Sequence, residues 1–131
     1  MIKVTYTTNG AAALLSVTGH AGYAEKGKDI VCAACSALIE TLAARFGDGM
    51  DLGQAVISNG EAFFLVSRVP GREGMYSALR GDMEFTVRGL ELLAESYPRY
   101  VMLTKKFGIG IKPKDNQKSR PLTGRKESKN V

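Results

Sequence analysis

Apolar and polar residues alternate at the start of the chain, with Ile2, Val4 and Tyr6 interleaved with Lys3, Thr5 and Thr7, and Leu15 and Val17 with Ser16 and Thr18. A period of two puts successive side chains on opposite faces of an extended strand. The two runs flank Asn9-Gly10, residues suited to a tight turn, so the chain is predicted to open with a β-hairpin. From Ile30 the period lengthens. Ile30, Ala34, Leu38, Leu42 and Phe46 recur at near-helical spacing and predict a helix over about residues 30–46, with Asp29 as N-cap and Gly47 with Gly49 as its stop.

The strand pattern returns in residues 54–58 and 61–68, on either side of Asn59-Gly60, which predicts a second hairpin. Leu79, Met83, Val87, Leu90, Ala94 and Tyr97 mark the apolar face of a second helix, ended by Pro98 and weakened by Gly81 and Gly89. Tyr100 to Lys105 reads as a last strand, and order is expected to be lost near residue 110. The order ββαββαβ holds more hairpins than crossovers. It predicts a two-layer α+β domain over residues 1–106, two helices packed on a largely antiparallel sheet, followed by a basic, disordered tail over residues 107–131. The two ββα halves echo each other in element order but share too little sequence to indicate a duplication.

Charge changes the picture only at the C-terminal end. The net charge is +5, yet residues 105–131 carry nine Lys or Arg against Asp115 and Glu127, which leaves the remainder slightly acidic. The tail is therefore the expected contact with an anionic partner such as ribosomal RNA, the plainer reading being a solubilising extension. Apolar runs such as Ala62 to Val66 fall far short of the roughly 20 residues of a membrane helix, and Met1-Ile2-Lys3-Val4 lacks the layout of a signal peptide. A cytoplasmic protein with no membrane contact is expected.

Candidate chemistry is confined to a short stretch. The chain has one histidine, His20, and two cysteines, Cys32 and Cys35, twelve and fifteen residues later. His20 falls where a strand gives way to a loop containing Gly22 and Gly27. Cys32 falls in the first turn of the predicted helix, where unpaired N–H groups and the positive end of the helix dipole favour a thiolate. His20 can accept the thiol proton, and the N–H groups near residues 32–34, Ala33 among them, can hold an oxyanion. Ser36 shares a helix face with Cys32, and Asp29 can either orient His20 or simply cap the helix.

Other readings compete. His20 can be a surface histidine at a strand end and Cys32 a small buried hydrophobe. Cys32-Ala33-Ala34-Cys35 is also a C-x-x-C at a helix start, as in thiol–disulfide oxidoreductases, although the flanking hairpins do not give the βαβ setting of that fold. A third alternative is a ribosome- or RNA-binding module built on the tail. Structural zinc is disfavoured because no second C-x-x-C exists, no phosphate loop or dinucleotide fingerprint is present, and neither a metal nor a cofactor is expected.

Gly19-His20-Ala21-Gly22, followed after four residues by Gly27-Lys28-Asp29-Ile30-Val31-Cys32-Ala33-Ala34 and then Ser36-Ala37-Leu38, resembles the signature of the ribosomal-processing cysteine proteases. The resemblance extends more loosely to about residue 105 through Gly89-Leu90-Glu91-Leu92-Leu93-Ala94 and Tyr97-Pro98. It implies a cytoplasmic, homodimeric cysteine endopeptidase needing no cofactor. The implied substrate is the precursor of a large-subunit ribosomal protein, the twenty-seventh in large-subunit naming, which loses a short N-terminal extension after an aromatic residue. It further implies that His20 and Cys32 are the catalytic pair, that Ser36 matches the family serine, and that residues 21–28 order over the substrate. Two features depart from the family pattern: the basic tail, and Cys35, which stands where a small apolar residue is more usual. A reversible Cys32–Cys35 link is expected to lower activity under oxidation.

Overall fold

The computed structural model describes residues 1–47, 52–108 and 110–111. Seven elements follow the predicted order: β1 (Ile2–Thr8), β2 (Ala12–Thr18), α1 (Ile30–Arg45), β3 (Gly53–Ser58), β4 (Glu61–Ser67), α2 (Glu73–Ser96) and β5 (Val101–Phe107). The fold is the expected α+β arrangement, with one five-stranded sheet in the order β3-β4-β2-β1-β5. Three neighbouring pairs are antiparallel and only β1 with β5 is parallel.

The period of two decides which strand residues enter the core. Ile2, Val4 and Tyr6, Ala13, Leu15 and Val17, and Ala62, Phe64 and Val66 all face the helices and are buried. Phe63 and Leu65 form a smaller cluster on the opposite face with Ala12, flanked by Leu14, Val56 and Ile111. Complete burial of a leucine or phenylalanine such as Leu15 or Phe64 contributes roughly 1.5–3 kcal/mol relative to exposure. At the first turn Asn9 Oδ1 accepts the amides of Ala11 and Ala12 at 2.8 and 2.9 Å, an Asx turn that sets the hairpin register.

The second helix buries Leu79, Met83, Val87 and Leu90 as its spacing predicts, together with Tyr76 and Thr86. The first helix follows its predicted face only at its C-terminal end, where Leu42 and Phe46 are buried. The buried residues of α1 are Val31, Cys35, Ile39 and Leu42, whereas Ile30 is 56% exposed. The sequence IVCAACSALI is apolar around nearly the whole helix, so periodicity could not pick one face, and packing against the sheet made the choice one residue later. Cys35 is thereby a core residue. Gly89, unfavourable inside a helix by intrinsic propensity, lies where α1 crosses α2: an added Cβ would stand 2.9 Å from Leu38 Cδ2.

Strand β5 runs to Phe107, two residues past its predicted end, because β1 supplies a parallel ladder as far as Thr8. The predicted helix stop at Gly49 and the tail from residue 112 onward lie outside the described residues.

Candidate active site

The histidine loop runs directly into α1, and the second hairpin turn, distant in sequence, joins them because β2 pairs with β4, bringing Thr18 opposite Glu61. The amide of Gly19 donates to the Gly60 carbonyl at 2.9 Å and fastens the end of β2 to the β3–β4 turn. Gly19 has φ +94°, and a side chain there would collide with the Met1 carbonyl, so the bend that presents His20 requires glycine. Between these parts lies a cavity of about 550 Å³. His20, Cys32, Cys35 and Ser36 line it, together with Glu40, Ile57 and residues 58–62.

Asp29 assembles the start of α1. One carboxylate oxygen accepts the Cys32 amide at 2.9 Å, and the other accepts the amides of Tyr23 and Ala24 at 3.0 and 3.3 Å. These bonds, the one from Cys32 first, hold the Asp29 carboxyl below its ordinary range. A single side chain thus caps the helix and tethers the loop, and among the described residues it makes no hydrogen bond to His20. The loop has a second anchor in Tyr23, whose ring meets those of Tyr97 and Tyr100 edge-on at 5.6 and 5.2 Å. Gly22, at φ +70°, is exposed in that loop with open space around its α-carbon.

The thiol of Cys32 is half-buried and accepts the amide of Ala21 at 3.3 Å. The donor aimed at the sulfur therefore comes from the histidine loop. The helix-start amides expected to serve an oxyanion are already engaged by Asp29, that of Cys32 by the side chain and that of Ala33 by the main-chain carbonyl at 3.0 Å. A side-chain cap and the first intrahelical bond thus engage these two amides. His20 is exposed, lines the same cavity, and among the described residues makes no hydrogen bond to Cys32. Ser36 is exposed one turn after Cys32 on the cavity side of α1.

Cys35 reaches the cavity from the core side. Burial, and secondarily the proximity of Cys32, pushes its thiol up to about 11, so it is protonated at neutral pH. Both cysteines are free. Among the described residues no three His, Cys, Asp or Glu side chains gather in a way that could hold a metal ion, and no helix is long and apolar enough to cross a membrane.

Reading the sequence did not single out Gly60, Ala21 or Glu40 as parts of this cavity. The Asn59-Gly60 pair located a turn, but only the β2–β4 register puts that turn beside His20. For Ala21 the signal was its place next to His20; for Glu40, its eight-residue spacing from Cys32 along α1.

A family model described as cysteine protease Prp matches residues 1–102. The ribosomal processing cysteine protease Prp of Mycoplasma genitalium is 33% identical over 106 residues, covering 80% of this chain and 96% of that protein. Among solved structures, SMU.848 from Streptococcus mutans superposes with a TM-score of 0.62 at 26% identity, over 82% of this chain and 96% of that one. The essential ribosomal processing protease Prp from S. aureus, in complex with a covalently linked product peptide, superposes with a TM-score of 0.59 at 24% identity over 81% of this chain and all of that one, a likeness of fold.

Proposed function

Because the chain belongs to the Prp family and is a cysteine protease, we propose that Cys32 is its nucleophile, His20 its acid–base partner, and a ribosomal protein precursor its substrate. The observation that carries the assignment is that the one histidine and the helix-start cysteine line a single cavity, with a backbone donor already on the sulfur. His20 takes the thiol proton, and the thiolate attacks the scissile carbonyl to form a tetrahedral oxyanion. Collapse breaks the C–N bond, and His20 returns the proton to the departing amine. Water, deprotonated by His20, then hydrolyses the thioester and regenerates the thiol. Closing the gap between His20 and Cys32 as substrate binds is part of the proposal, since catalytic hydrogen bonds are often loose in a free enzyme.

Ser36, one turn from Cys32 on the cavity side, is assigned to substrate positioning, and Asp29 and Gly22 to the shape of the loop. The substrate follows the relatives: one is named for ribosomal processing, and the S. aureus protease has been solved with a substrate peptide. Removal of an N-terminal extension after an aromatic residue, in the cytoplasm, completes the reading. So does a homodimer, for which exposed Phe85 and Leu92 on α2 and Met102 and Phe107 on β5 offer apolar surface. The test is to incubate wild type and Cys32→Ala with a peptide spanning the ribosomal protein's N-terminal extension and locate the cut by mass spectrometry. A cut made by wild type alone supports the reading; no cut by folded wild type, or an equal cut by Cys32→Ala, overturns it.

A further inference from the structure

Cys32, Ser36 and Glu40 fall at positions i, i+4 and i+8 of α1, and all three line the cavity. They form one stripe along the wall of the cleft. At 1.5 Å per residue, Glu40 lies about 12 Å along the helix from Cys32. An extended peptide advances about 3.3 Å per residue, so a substrate following this wall has its third or fourth residue from the scissile bond beside Glu40.

The surroundings of Glu40 determine what it can bind. It is exposed and, among the described residues, takes part in no ion pair. Buried Ile39 and half-buried Ile57 give the cavity apolar wall nearby, and the other carboxylate lining it is that of Glu61. No lysine or arginine is among the described residues that line the cavity. An aliphatic stem can therefore lie on the isoleucines while its cationic head meets a carboxylate, the arrangement that long basic side chains favour.

We propose that Glu40 is a specificity residue of the cleft, forming a subsite for a lysine or arginine three to four residues from the scissile bond. The proposal rests on the reading of Cys32 as nucleophile. The pair forms near solvent, so its effect is modest and sensitive to salt.

The test uses quenched-fluorescence peptides with one aromatic residue in a short apolar segment, in which a single lysine is walked through five positions on either side of the cut, with glutamine as the neutral reference. Wild type is expected to show a gain in kcat/KM of about two- to fivefold for lysine at the third or fourth position on one side, weakening at high salt. Glu40→Gln should lose the preference, and Glu40→Lys should favour glutamate there instead. A flat lysine walk, or a preference surviving in Glu40→Gln, overturns the subsite; loss only in Glu61→Gln assigns the preference to the other wall and overturns it as stated. Cleavage of the neutral peptide by wild type but not by Cys32→Ala keeps the nucleophile reading in place whatever the walk shows. No cleavage of any peptide by folded wild type overturns both.

Discussion

The imidazole of His20 rests against the α-carbon of Gly60: a Cβ added to Gly60 would stand 3.0 Å from Nε2, 3.5 Å from Cε1 and 3.7 Å from Cδ2. The absent side chain of a hairpin turn is what leaves room for the one histidine.

Gly60→Ala should therefore damage activity beyond its effect on folding. Gly60 has φ +77°, so alanine strains the turn and also displaces the imidazole. Gly71, at φ +86° with open space around it, is the control, since alanine there carries the strain alone. Both variants should lose about 1–3 kcal/mol in urea unfolding. Only Gly60→Ala is expected to lower kcat/KM by more than tenfold and to alter the pH–rate profile; equal activities would dismiss the imidazole contact.

Cys32→Ala, Cys32→Ser and His20→Ala should each reduce peptide cleavage by about a thousandfold or more while leaving thermal unfolding nearly unchanged, because both side chains lie at the cavity surface. Peptide hydrolysis and circular dichroism melts on the same preparations check this. A Cys32→Ala enzyme with wild-type rate would remove the nucleophile.

Asp29 should make stability fall in acid. Its carboxyl titrates lower in the folded chain than in the unfolded one, so its contribution is complete above the unfolded value, near 4, and disappears as pH drops through the lowered folded value. Asp29→Asn keeps one acceptor for the Cys32 amide but loses the charge and an acceptor for Tyr23 and Ala24. The stability gap between wild type and Asp29→Asn, from urea titrations, should be widest at pH 7 and shrink towards pH 3. A gap that widened in acid would contradict the cap.

Cys35 should be chemically quiet at neutral pH. With its thiol pushed up to about 11, alkylation at pH 7 should fall on Cys32, and Cys35→Ala should keep its protease activity. A thiol–disulfide oxidoreductase would need both cysteines, so an essential Cys35 would revive that alternative. Peroxide tests the expected Cys32–Cys35 link: Cys35→Ala should escape the reversible part of inactivation, and equal sensitivity would dismiss it. The raised folded value also stabilises the chain below the unfolded thiol value, near 8.5, a contribution lost as pH rises towards 11.

The local elements were legible because each rests on neighbours in sequence. Ile2, Val4 and Tyr6 announce a strand face whatever that strand pairs with, Asn9 closes its own turn, and Asp29 caps the helix it precedes. The same locality singled out His20 and Cys32, the one histidine at a strand end and a cysteine at the following helix start.

Tertiary structure decided what no short window contains. It selected Val31, Cys35 and Ile39 as the buried face of a helix whose sequence is apolar almost all round, and so placed Cys35 in the core. It set β4 beside β2 and thereby brought Gly60 against His20 and Glu61 into the cleft. Sequence determined the elements, because propensity, capping and turn chemistry act over a few residues. The long-range strand register and the choice of packed face determined their neighbours, because both follow from burying one shared core.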